Sequence, residues 1–353
     1  MLIFLVVVAL LMGIIASKNR GCACIVGFIM WITFAFNTNN PDYSVYKLIF
    51  QGYYADSVEP GFLALNNLAA SCGVPFQVFF ASLATFSLAC LFIAWKKWNG
   101  KLNGYSLSLL LLYPFFSMIT TVRWTVAACF TVLAITIYCK SKRCVRDKII
   151  YLIMLLLSGS FHYSMLIFIF IICVRPAKQS RELILKIGLI ASCSAIMFLT
   201  DIPTMIISRL IGTKKIMAWF SEENRIGLGI VIPYLFHFFS FYVFYYAYKA
   251  YFSNLKKEGK TNPSLDQMLT VNLYSFLLSG LYTFSIEFFS RIYIVLYLVN
   301  IAYINSIKVY CSKEKRQRIT ILQFICALSL AMFVYQSSFE RIVLTILKNN
   351  ILF

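Results

Sequence analysis

The stretch PFQVFFASLATFSLACLFIAW, residues 75–95, carries no charged residue and ends against the pair Lys96-Lys97. An apolar run of about 20 residues matches the roughly 30 Å hydrocarbon core of a bilayer. It shows no period-2 alternation, so it reads as a helix that satisfies its own backbone hydrogen bonds in lipid and not as a barrel strand. Runs of the same kind recur along the chain. Of 353 residues 61% are hydrophobic and 13% charged, whereas a soluble domain carries about 25% charged residues. A water-soluble enzyme is excluded. The class is all-α, a polytopic transmembrane helical bundle.

The net charge of +19 does not point to nucleic acid, because the basic residues fall in short clusters between the apolar runs: Lys18/Arg20, Lys96/Lys97/Lys101, 140–148, 175–186, 249–260 and 308–318. These hold 23 of the 32 basic residues, the asymmetry that the positive-inside rule produces. With the clusters inside, the spans lie at about 1–17, 22–36, 75–95, 104–120, 122–139, 187–200, 228–248, 266–286, 288–306 and 319–335, from an outside N-terminus. The first run lacks a basic leader and is followed by Lys18 and Arg20, so it reads as a retained span and not a signal peptide. Segment 149–174 has basic flanks on both sides. It must enter the membrane and return, as two short helices meeting near Gly159-Ser160-Phe161-His162-Tyr163-Ser164. The total is about twelve helices in one membrane domain, 1–353.

Two outside segments, 37–73 and 201–227, exceed simple turns, and long connections in an economical bundle are usually functional. Their apolar stretches, 62–70 and 202–211, predict interfacial or re-entrant helices. The 11 cysteines are scattered, with no metal-ligand spacing and no paired framework. No internal repeat is visible.

Ionisable groups are costly in lipid, so the few polar residues at the outer ends of the spans are the informative ones. In Asn40-Pro41-Asp42-Tyr43, with Tyr46 nearby, Asp42 reads as part of a turn or as a carboxylate available for chemistry. Glu59, before Pro60-Gly61-Phe62, reads either as a helix-start residue or as a carboxylate at the membrane surface with a raised pKa suited to base catalysis. Arg123, followed by Trp124, stands where the topology rule disfavours positive charge. It either snorkels or holds a phosphate. His162 sits where the chain breaks inside the membrane zone, which favours a functional role. His237, among aromatics on a span, reads as a packing residue. Glu287 and Arg291, at i and i+4, share a helix face and can pair, or Arg291 can serve as a second outward cation. Arg209, Lys214, Lys215 and Arg225 form a weaker basic set of the headgroup-contacting kind.

There is no P-loop, no dinucleotide glycine fingerprint and no Asp-X-Asp pair for a metal-bound nucleotide sugar. A cytosolic nucleotide-dependent enzyme is disfavoured, and the outer-face candidates point to a lipid-borne substrate.

These landmarks, Asp42-Tyr43, Glu59-Pro60-Gly61-Phe62, Arg123, Phe161-His162-Tyr163-Ser164 and Arg291 with Tyr293, resemble in order and spacing the EpsG-like, Wzy-type polysaccharide polymerase family from about residue 37 to 300. The resemblance implies a bundle of the membrane glycosyltransferase, GT-C-like type in the plasma membrane, its active site facing outside. It implies joining of oligosaccharide repeat units carried on polyprenyl diphosphate, in capsule, O-antigen or exopolysaccharide synthesis, with lipids and other polysaccharide-assembly proteins as partners and no cofactor, metal or nucleic acid. Mapped onto this chain, it makes Glu59 or Asp42 the base and His162 a further catalytic group that helps to stabilise the diphosphate. Arg123, Arg291 and Arg209 then hold the diphosphate, and Tyr43, Tyr46, Tyr293 and Glu287 lie by the glycan. An O-acyltransferase of surface glycans, a transporter or flippase, and a glycan ligase are the alternatives. A transporter predicts polar residues at mid-membrane and repeat symmetry, whereas the candidates crowd at the outer ends.

Overall fold

The computed structural model describes residues 1–53, 58–173, 228–257, 263–275 and 286–353; for 228–234, 255–257, 265 and 286–289 it describes the backbone alone. The described residues are helical, and no strand occurs among them. Four of their helices are long and apolar enough to cross a membrane. In chain order the helices are α1 Leu2–Ile15, α2 Arg20–Ala35, α3 Tyr43–Phe50, α4 Pro60–Ser71, α5 Phe76–Asn99, α6 Gly104–Leu112, α7 Phe115–Thr120, α8 Val122–Lys140 and α9 Val145–Phe161. A 3₁₀ helix, Tyr163–Ile172, follows α9. Then come α10 Leu228–Lys257, α11 Pro263–Ser275, α12 Ile286–Ile307 and α13 Lys313–Tyr335, and a π-helical turn, Phe339–Leu344, that runs into α14 Thr345–Lys348.

Local chemistry sets the ends of these helices. Helix α5 begins after Pro75 and closes on Gly100, whose left-handed conformation (φ 71°) lets its N–H reach Lys96 O at 2.8 Å. Lys96 and Lys97 lie in the last turn, where cations suit the helix dipole. Asn19 caps α2, Asn103 caps α6, and Cys144 with Asp147 forms a capping box on α9. The span expected over 104–120 is instead two helices. Pro114 lacks the N–H and has the ring that interrupt an α-helix, and the chain turns at Tyr113-Pro114.

The expected break within 149–174 falls at His162, which ends α9 and begins the 3₁₀ helix. The chain doubles back there, so that Tyr151 OH donates to Phe168 O at 2.8 Å. The apolar stretch of the first long connection is helix α4, joined by the unforeseen short helix α3. Helix α10 runs to Lys257, beyond the expected end at 248, and α13 starts at Lys313, ahead of the expected 319. The expected span 187–200, the connection 201–227 with Arg209, and the second half of the expected span 266–286 lie outside the described residues.

Three helices form the centre and run parallel. Trp98 Nε1 donates to Thr136 Oγ1 at 3.0 Å, Lys140 Nζ reaches Lys97 O, and Trp95 Nε1 donates to Leu298 O at 2.9 Å. The C-terminal ends of α5, α8 and α12 are thus together at one end of the bundle, with Lys96, Lys97, Lys140 and Lys308. The N-terminal ends of α5 and α8 lie toward the other. Burial is deepest for α8 and α12, 78% and 89% of whose spans are enclosed, against 33% for α13. Around this centre α1 packs on α6 through a glycine contact: a Cβ on Gly13 would stand 2.7 Å from Gly104 O.

Candidate active site

The parallel arrangement brings the N-termini of α5 and α8, each equivalent to about half a positive charge, to one end of the bundle. Two arginines lie at this end. Arg123 is the second residue of α8, and Arg291 lies on the part of α12 nearest that end among the described residues. A cation at a helix N-terminus opposes the dipole, so the position costs stability and leaves a strong field for an anion.

Glu59 occupies the N-cap position of α4 with Pro60 at the first helical position, yet its side chain makes no capping hydrogen bond. It turns instead to Arg123, whose Nη1 stands 2.7 Å from Glu59 Oε2. The carboxylate side chain is 5% exposed and the guanidinium 26%. The contact is close but no N–H aligns along it, so Glu59 Oε2 has no hydrogen-bond partner among the described residues. The buried carboxylate is therefore held by the charge of a partly exposed arginine and not by an aligned hydrogen bond.

Gly61 makes this approach possible. A Cβ there would lie 2.2 Å from Ser160 Oγ and 2.9 Å from Ser160 O, so only glycine lets α4 close on the last turn of α9. Ser158 in turn fixes α9 to α8, through Thr131 Oγ1 and Ala127 O, each at 2.7 Å. Glu59, Arg123 and the His162 break are held in one frame.

His162 is buried, and Arg291 Nη1 lies 3.2 Å from its Nε2. A guanidinium only donates, so Nε2 accepts and the neutral ring carries its proton on Nδ1, directed to Ser164 Oγ at 2.7 Å. The Ser164 backbone N–H, 3.4 Å from Nδ1, would require the opposite tautomer. The shorter, charge-assisted contact decides between them.

Tyr46 stands beside Arg123. Its hydroxyl accepts a long hydrogen bond, 3.5 Å, from the Arg123 backbone N–H. Burial pushes the phenol up to about 12, with the charges of Arg123 and Arg291 opposing the rise and Asp42 adding to it. Both cations and Asp42 are therefore within electrostatic reach of one hydroxyl. Asp42 is half-buried at the head of α3, its N–H bonded to Asn40 Oδ1 at 3.0 Å in a turn.

The other expected residues sit farther from this centre. Tyr43 donates to Gln77 Oε1 at 2.7 Å and packs edge-on against Phe76 and Phe80. Tyr293 is buried below Arg291, its hydroxyl donating to Ser275 O at 3.3 Å and its ring stacked 4.2 Å from His237, which accords with a packing role for that histidine. The side chain of Glu287, and with it the expected pair with Arg291, lies outside the described residues. Sequence reasoning named Ser160 and Ser164 in the break but gave them no role; Ser160 owes its role to the approach of Gly61, and Ser164 to the His162 ring beside it.

The EpsG family model matches residues 21–346, nearly the whole chain. The chain belongs to the EpsG family. No curated protein and no solved structure shows a significant match. EpsG membership and the apolar helices make it a membrane protein of polysaccharide biosynthesis. The Glu59–Arg123 and Arg291–His162 pairs all fall within the part that the EpsG model matches.

Proposed function

We propose that this protein is a polysaccharide polymerase that transfers a glycan from polyprenyl diphosphate to an incoming lipid-linked repeat unit. The reading adds that the bundle is of the GT-C-like type with about twelve helices, sits in the plasma or inner membrane, and presents the Arg123 end outward. Its product would be a capsule, O-antigen or exopolysaccharide chain. The observation that carries the reading is the Glu59–Arg123 pair, at the N-terminus of α8 and at the same end of the bundle as the Arg291–His162 pair.

In the reaction the acceptor hydroxyl attacks the anomeric carbon of the donor glycan. The new carbon–oxygen bond forms, the bond to the diphosphate breaks, and the hydroxyl proton goes to a base. Glu59 is the base in this account, with Asp42 the other carboxylate nearby. The leaving diphosphate collects negative charge, which Arg123 and Arg291 stabilise together with the helix N-termini. Arrival of the diphosphate gives Arg123 a second anionic partner, and this loosens Arg123 from Glu59 and exposes the carboxylate to the acceptor. His162, accepting from Arg291, orients that guanidinium toward the ligand. The donor bond is already activated, so the step needs no nucleotide.

The test is mass spectrometry of polyprenyl-linked glycans and surface polysaccharide from a strain lacking the gene, with and without the gene restored. Single repeat units on lipid with loss of long chains are the expected result. Unchanged chain length with missing acyl groups would mean an acyltransferase, and single units trapped on the inner leaflet would mean a flippase.

A further inference from the structure

Residues 36–40 and 345–351 meet across some 300 residues of chain. The Thr38 N–H donates to Asn349 O at 3.0 Å and the Ile351 N–H to Phe36 O at 2.9 Å. Asn37 and Asn350 therefore face each other as an antiparallel pair of the non-hydrogen-bonded kind. Asn37, fully buried, is the hub of the contact. Its Nδ2 reaches Asn39 O at 3.1 Å, Ile346 O at 3.3 Å and Asn349 O at 3.1 Å, while its Oδ1 accepts from Asn40 Nδ2 at 2.9 Å. Asn350 Nδ2 closes the knot on Ile32 O at 3.0 Å.

The knot leads directly into the candidate site. Asn40, itself buried, accepts from the Asp42 N–H at 3.0 Å. Gln77 Nε2 donates to Ala35 O at 2.8 Å and to Asn37 O at 3.3 Å, and its Oε1 holds the Tyr43 hydroxyl. Helix α3, which starts at Tyr43, carries Tyr46 to Arg123. The end of α13 meets the turn that precedes Arg123. Tyr335 OH lies 3.3 Å from both N and Oγ of Ser117, whose carbonyl accepts from Thr120 and Thr121 just ahead of Arg123.

We propose that Asn37, tied to the C-terminal segment 345–351, is a positioning residue that sets helix α3 and its Tyr46 in place against Arg123. A buried amide making four side-chain contacts anchors the chain just ahead of α3, and a misplacement of about 1 Å in a catalytic frame can cost ~10²-fold in rate. This inference rests on the reading of the Glu59–Arg123 pair as the reaction centre.

The experiment uses the full chain in proteoliposomes, with lipid-linked oligosaccharides extracted from a strain lacking the gene as the substrate. Asn37→Ala is expected to lower kcat about 10- to 100-fold while leaving KM within about threefold, because the arginines that bind the diphosphate are untouched. The facing pair also suits a disulfide, since non-hydrogen-bonded residues stand about 4.5 Å apart at Cα. Asn37→Cys/Asn350→Cys should regain most of the activity when oxidised and lose it when reduced, with the wild type and Asn37→Cys run under both conditions as controls for the native cysteines. An unchanged kcat in Asn37→Ala overturns the inference. So does an oxidised pair as slow as the reduced one, which also covers the case where the alanine variant does not fold. Glu59→Gln separates the two levels: if it is inactive and Asn37→Ala is normal, the positioning role alone falls, and if it is fully active, the reading of the reaction centre falls and the inference with it.

Discussion

Arg291 Nη1 stands 3.2 Å from Nε2 of His162, a contact between residues 129 positions apart that joins α12 to the break after α9. Because the guanidinium only donates, this contact requires a neutral imidazole with an accepting Nε2. A protonated ring would put two cations face to face and lose this contact.

The role of His162 is therefore to accept. His162→Gln, whose amide oxygen can also accept, should keep more activity than His162→Ala, for which a loss of up to ~10²-fold in kcat is expected, the range for a misdirected charge stabiliser. Initial rates on extracted lipid-linked repeat units decide the order. Equal activity of the two variants would remove the accepting role.

Arg123→Lys keeps the charge and loses the planar fork that can engage Glu59 and a diphosphate together. A fall of at least about tenfold in kcat/KM is expected, and a larger one, ~10² to 10³, for Arg123→Ala. Arg123→Ala also strands a buried carboxylate. Removing one partner of a fully buried pair costs about 3–5 kcal/mol, and the cost here is smaller because Arg123 is 26% exposed. Thermal unfolding in detergent and rate measurements on the same sample separate the two effects.

Gly61→Ala should slow the reaction without touching a polar group. The added Cβ meets Ser160 Oγ at 2.2 Å and Ser160 O at 2.9 Å, so α4 must move away from α9 and carry Glu59 with it. Gly61→Ala/Ser160→Gly relieves the side-chain clash but not the carbonyl contact, so partial recovery is expected. If the double variant is no faster than Gly61→Ala alone, the close approach is not what places Glu59.

Much of the architecture is written in local pattern. The uncharged run at 75–95, the Lys96-Lys97 end and the basic clusters set α5 and its neighbours, because length, hydropathy and charge asymmetry act within a single span. The His162 break was legible for the same reason: basic flanks on both sides of 149–174 leave the chain no other route. Pro114, inside an otherwise apolar stretch, divided what hydropathy alone reads as one helix. Glu59 shows the limit most clearly. Its N-cap position is readable from Pro60-Gly61, but the turn of its side chain toward Arg123 depends on Gly61 meeting Ser160, a contact between segments 99 residues apart. The Asn37–Asn350 knot was invisible because two asparagines in polar stretches carry no periodic signal, and only the fold brings them together.

Tyr46 gives a prediction in pH. Burial raises the phenol to about 12, so it stays protonated and neutral across the working range. The sign follows: a tyrosine with a raised pKa adds stability that is complete below its ordinary value near 10 and is lost as pH rises from there through about 12. Tyr46→Phe should therefore leave the alkaline limb of the rate profile unchanged below about pH 10. An alkaline limb that disappears in Tyr46→Phe would mean that the hydroxyl ionises during turnover.

The most direct test is chain extension by the purified protein in proteoliposomes, supplied with extracted lipid-linked repeat units and read as a ladder of product lengths. The account predicts a ladder from the wild type and only unextended single repeats from Glu59→Gln at equal protein amount. A ladder of normal length and rate from Glu59→Gln would contradict it.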